Sequence, residues 1–196
     1  VNKERVTAFS DGVIAIIITI MVLELRPPAG TDWASLAGML PVFLSYLLSF
    51  LYVAIYWNNH HHLMQTVKRV NGMILWANTH LLFWLSLTPF ATAWLGQNYR
   101  APVPTAVYGL VLLLAAVAYY ILQWTIVRTE GRDSTLAVAL GSDIKGKLSP
   151  VLYIAAIGLA FVNPAIAETI YALVAIMWFI PDRRIEQRLN RTTERG

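Results

Sequence analysis

The chain has no cysteine and little charge: only 13% of its 196 residues are Asp, Glu, Lys or Arg, against about a quarter in an average soluble domain. The missing cysteine excludes disulfides, thiol catalysis and cysteine-based zinc or iron–sulfur sites. The missing charge argues against a water-soluble globule, which needs charge to cover its surface. The charges present are clustered, so long stretches carry almost none, and 57% of the residues are hydrophobic. The strings His-Glu-x-x-His and Gly-x-Ser-x-Gly are also lacking. Together with the missing cysteine, this speaks against a membrane enzyme.

What is present is apolar length. A bilayer core of about 30 Å is crossed by roughly 20 mostly apolar helical residues. Six segments qualify, at about 6–25, 33–58, 72–95, 103–127, 148–162 and 165–180. The expected fold is all-α: a polytopic membrane protein of six transmembrane helices over 1–182, followed by a basic tail over 183–196. Pro27-Pro28-Ala29-Gly30 ends the first segment, and Arg100-Ala101-Pro102 separates the third from the fourth. Asn163-Pro164 splits the last two, since proline at a helix start needs no amide partner. The long polar connection over 128–147 holds a candidate interfacial helix at 135–140. The first segment reads as a span and not as a cleaved leader, because it carries Asp11 and Glu24 and lacks a small-residue cleavage site.

Orientation follows from the basic residues. With the N-terminus cytoplasmic, 13 of the 15 Lys and Arg lie inside, and only Arg26 and Arg100 lie outside. The positive-inside rule therefore puts both termini in the cytoplasm. Trp33, Trp94, Tyr99 and Trp178 lie near segment ends, as an interfacial aromatic belt would. A juxtamembrane tail such as 183–196 is better explained by attraction to anionic lipid than by nucleic-acid binding.

The first segment carries unusual chemistry. An Asp two turns into a span needs a partner, and Arg5 is too far round the helix to be a simple one. Candidates on other segments are Trp57 and His60 at the end of the second, and Asn78 and His80 in the third. A network of Ser10, Asp11, Trp57, His60 and Asn78 would satisfy these groups. It reads as helix–helix glue or as a proton relay through Asp11 and His60. On a helix, Asp11, Ala15, Ile18 and Val22 share one face, expected to turn inward. Ile16, Ile20 and Leu23 share another, with Thr19 on its flank, and this one is free to meet lipid, a second helix or a pore. The consecutive His60, His61 and His62 point in different directions on a helix and make a poor chelate; no metal is expected.

Arg5-x-x-x-Phe9-Ser10-Asp11 before an Ile-rich helix resembles the signature of the transmembrane protein 175 family of bacterial and lysosomal potassium channels. Trp57-x-x-His60 and Asn78-x-x-Leu81-Leu82-Phe83 running on to Pro89-Phe90 are similar to that family's pattern. The match is detailed over the first half of the chain and rests on span count and charge in the second. The resemblance implies a homotetramer in the bacterial inner membrane with potassium as permeant ion and no cofactor. Four first helices would line the pore. Ile16 would be the narrowest ring, Ile20 and Leu23 further rings, and Thr19 a pore-facing hydroxyl. Arg5, Ser10, Asp11, Trp57, His60 and Asn78 would serve assembly and helix orientation. A Thr-Val-Gly-Tyr-Gly filter is absent, so a hydrophobic neck replaces rings of backbone carbonyls. The alternatives are a proton-permeable channel, with His60, His61 and His62 setting a pH response, and a secondary transporter. The transporter would need discontinuous helices, and no Gly/Pro break is apparent in the middle of the first four segments.

Overall fold

Helix α1 (Lys3–Leu23) begins where Asn2 caps the amide of Glu4 at 2.8 Å, and it ends before Pro27-Pro28. Its 21 residues reach about 32 Å at 1.5 Å per residue. The computed structural model describes residues 2–131, 136 and 144–179 of the 196. Short α2 (Trp33–Ala37) precedes α3 (Leu40–Thr66), α4 (Gly72–Ser86) and α5 (Thr88–Gln97). Then come α6 (Pro102–Glu130), α7 (Ile144–Ala160) and α8 (Pro164–Phe179). The described residues are helices and their connections, as expected of an all-α chain. Three helices, α1, α3 and α6, are long and apolar enough to cross a bilayer, and α8 is a shorter apolar one.

Three expectations change. The second segment is two helices, and α3 runs on past Asn58 to Thr66. Its polar end stays helical because its groups find partners: His60 bonds Asn78, and Gln65 bonds His61 one turn away. The third segment breaks at Leu87 into α4 and α5. Pro89 causes this, because it has no N–H for the Leu85 carbonyl and its ring crowds that carbonyl. Trp178 is half-buried, and its Nε1 donates to Ser149 at 2.8 Å. The interfacial helix expected at 135–140 lies outside the described residues except for Leu136, which is helical and buried. The tail at 183–196 also lies outside them.

The helices pack around α3 and α6, which thread two cores. One core gathers Ile14, Ile17 and Met21 of α1, Val53 and Leu63 of α3, Ile74 and Leu81 of α4, and Leu122 and Ile126 of α6. The other gathers Tyr52, α5, the first half of α6, α7 and α8. In lipid the apolar effect gives no net drive to helix association, so close packing carries it. Small residues permit that packing: Ala156 and Ala160 on α7, Ala167 and Ala175 on α8, and Ala115 and Ala118 on α6 are all buried. Gly96 lets α5 approach the α3 backbone, where a Cβ would sit 3.0 Å from the Val42 Cα. At the far side, Asp32 caps α2, and hydrogen bonds from Ser35 hold its carboxyl below the usual range. Lys68 and Asn71 tie the α3–α4 connection to Glu130 and Thr129 at the end of α6.

Gly109 is the tightest of these approaches. A Cβ there would overlap the Tyr171 phenol oxygen and lie 2.9 Å from Ile157 Cγ1. Gly109→Ala is expected to cost about 1–3 kcal/mol by overpacking, read as a lowered Tm of the purified protein in detergent.

Candidate functional site

Helix α1 has two faces. Val6, Ser10, Ile14, Ile17 and Met21 are buried at the spacing of one helical stripe. The inward face is therefore set one residue away from the Asp11–Ala15–Ile18–Val22 face expected: Ala15 and Val22 are exposed, and Asp11 and Ile18 are half-buried. Away from the stripe, Ile16 is 59% exposed, Ile20 43% and Leu23 72%. Arg5, Phe9, Gly12 and Thr19 are exposed around the same side. A Cβ added to Gly12 would meet nothing within 4 Å. The Thr19 hydroxyl donates to the Ala15 carbonyl at 2.9 Å. Its oxygen keeps lone pairs on the exposed side, so this face offers both an apolar surface and an acceptor.

The polar residues form two separate groups. Ser10 of α1, Asn78 of α4 and His60 of α3 meet in the interior, each at most 1% exposed. Ser10 Oγ donates to the Val6 carbonyl at 2.8 Å, so it accepts from Asn78 Nδ2 at 2.9 Å. That leaves Asn78 Oδ1 as the acceptor facing His60 Nε2 at 2.7 Å, and His60 is the donor. The imidazole thus carries its proton on Nε2, while its buried Nδ1 has no hydrogen-bond partner among the described residues. Asp11 stands outside this chain. Its Oδ1 accepts from Trp57 Nε1 at 3.0 Å in an exposed contact, and Trp57 stacks on His61. The separation has a physical basis: a neutral serine is cheaper to bury than a carboxylate.

Arg5 is exposed and makes no hydrogen bond or ion pair with the described residues. His80 lies on an exposed side of α4 and accepts from Trp84 at 2.9 Å. No group of His, Cys, Asp and Glu suited to a metal ion is found among the described residues. A second buried junction was not expected from the sequence: Ser49, Thr92 and Tyr108 join α3, α5 and α6 behind Met21. The i, i+4, i+7 stripe of Ser45, Ser49 and Tyr52 on α3 was the available signal.

The family model described as "Endosomal/lysosomal potassium channel TMEM175" matches residues 5–89, which include the exposed face of α1, Trp57, His60 and Asn78. A protein of Chryseobacterium sp. (strain P1-3) named as a potassium channel is 57% identical over 96% of this chain and 98% of its own length. The chain belongs to the TMEM175 family. A Streptomyces collinus protein, also named as a potassium channel, is 33% identical over 89% of this chain and 90% of its own. Among solved structures, that of a lysosomal potassium-selective channel TMEM175 homolog from Chamaesiphon minutus matches with a TM-score of 0.79 at 28% identity. It covers 91% of this chain and 96% of that one. TMEM175 proteins are ion channels, which sets aside the enzyme alternative.

The two polar groups should differ in weight. Asn78→Leu strands the His60 N–H and the Ser10 oxygen in the interior and is expected to cost about 1–3 kcal/mol. Trp57→Phe removes one exposed bond and should cost less than about 1 kcal/mol. Thermal unfolding of the two purified variants checks the order.

Proposed function

We propose that this chain is one subunit of a potassium-selective channel in which four copies surround a pore lined by α1. The observation that carries the proposal is the exposed Ile16, Ile20 and Leu23 ridge, which lies beside Thr19 on the side of α1 turned away from the stripe that seats it on its own subunit. Around a fourfold axis the ridge becomes three apolar rings. Ile20 stands about 6 Å and Leu23 about 10 Å outward of Ile16 along the helix. Such a neck closes by dewetting and opens when the first helices move apart or rotate. Potassium sheds water more readily than the smaller sodium ion, so a neck that forces partial dehydration favours potassium. Thr19 oxygens, with lone pairs on that side, replace part of the lost hydration.

In this reading α4 and α5 together make one broken crossing, so α1, α3, α4–α5, α6, α7 and α8 give six. Both termini are then cytoplasmic, in a bacterial inner membrane, with the basic tail at 183–196 against anionic lipid. Ser10, Asn78 and His60 fix the rotation of α1. Asp11, Trp57 and Arg5 act at its cytoplasmic end in orientation and assembly, and none of the six coordinates the ion. Potassium is the permeant ion, and no cofactor takes part.

Planar-bilayer recording on the purified protein tests this. Ile16→Asn is expected to raise potassium current roughly tenfold, as for a barrier lowered by about 1.4 kcal/mol, and to weaken discrimination against sodium. An unchanged current would remove Ile16 from the neck. Current driven by a pH gradient without potassium would mark a proton channel, and saturable coupled flux would mark a transporter.

A further inference from the structure

We infer that Thr92 is a positioning residue for conduction, holding the α4–α5 break and the seat of Met21 so that α1 presents Thr19, Ile20 and Leu23 on its free side. The inference rests on the pore reading above. Thr92, Ser49 and Tyr108 are buried. Thr92 Oγ1 lies 2.7 Å from the Thr88 carbonyl and 2.7 Å from Ser49 Oγ, and Ser49 Oγ lies 2.9 Å from Tyr108 OH. Thr92 Oγ1 is the donor to both Ser49 Oγ and the Thr88 carbonyl, which share its one proton, and between Ser49 and Tyr108 either hydroxyl donates. The chain runs from α6 through α3 to the first residue of α5, just beyond the break that Pro89 imposes.

Thr92 also touches α1. Its hydroxyl oxygen is 3.9 Å from Met21 Sδ, and Met21 is the last buried residue of the α1 stripe. Ser10 anchors that stripe to Asn78 at the other end, about 16 Å away along the axis. Two contacts at that separation fix the rotation of the helix at both ends. Ser10 sets the cytoplasmic end, and Thr92, through Met21, sets the level at which Thr19, Ile20 and Leu23 stand. A change of 100° about the helix, one residue's turn, would bring the half-buried Ile18 to the place of Thr19.

The test compares Thr92→Val, which keeps the shape and loses the hydroxyl, with Thr92→Ser, which keeps the hydroxyl. Each is recorded beside wild type and Ile16→Asn. Thr92→Val is expected to change potassium current per assembled channel by roughly three- to tenfold, the scale of one net hydrogen bond. The potassium-to-sodium ratio should shift with it, and Thr92→Ser should match wild type. In the cysteine-free background, thiol labelling of Ile18→Cys relative to Ile20→Cys should rise in Thr92→Val. Should Thr92→Val not assemble, Tyr108→Phe removes the first hydroxyl of the same chain and is held to the same outcomes. A Thr92→Val channel that conducts and selects like wild type, while Ile16→Asn responds, overturns the inference and leaves the pore reading standing. A wild type that passes no potassium overturns the pore reading, and any role in conduction with it.

Discussion

Hydrocarbon offers no water, so a polar group at membrane depth that finds no partner within the protein is costly. The arrangement of α1 depends on that constraint. Ser10, Asn78 and His60 close a directed chain across three helices. Ser49, Thr92 and Tyr108 form a second linked group across α3, α5 and α6. Each involves groups that would be costly to leave unpaired, so each selects one packing of its helices over slipped or rotated ones. The apolar contacts of Ile14, Ile17 and Met21 fill the space between. They add dispersion and shape, but in lipid they cannot by themselves choose a register.

Using one stripe of α1 in this way leaves the other stripe unused inside the subunit. Ile16, Ile20 and Leu23 are β-branched or aliphatic, so the face is stiff and dry, and Thr19 adds an oxygen at its flank. Among the described residues of the subunit, none covers it. The rest of the chain, including the broken α4–α5 element and the small-residue contacts of α6, α7 and α8, then reads as a frame that holds one helix at a fixed rotation.

Much of this was legible in the sequence. The outward face of α1 follows from the period of its isoleucines, and the apolar lengths marked where helices would lie. The inward face was missed by one residue, because the charge of Asp11 drew attention from Ser10. The interior takes the neutral hydroxyl, and the carboxylate stays at the edge with Trp57. Polar residues after Asn58 suggested a helix end, yet α3 continues because their partners lie in α4 and within α3 itself. Pro89 was visible, but its effect was not, since proline early in an apolar run reads equally as a kink or as a new start. The hydroxyl junction left the weakest trace: Ser, Thr and Tyr are common in spans, and only the fold shows which of them meet.

The central claim is that the exposed face of α1 surrounds the ion path. The chain has no cysteine, so one introduced thiol reports without background. Silver-ion block of Ile16→Cys channels is the most direct measurement. The account predicts rapid block at Ile16→Cys and none at Phe83→Cys, which lies on the exposed side of α4. Current that is insensitive at Ile16→Cys but blocked at Phe83→Cys would contradict it.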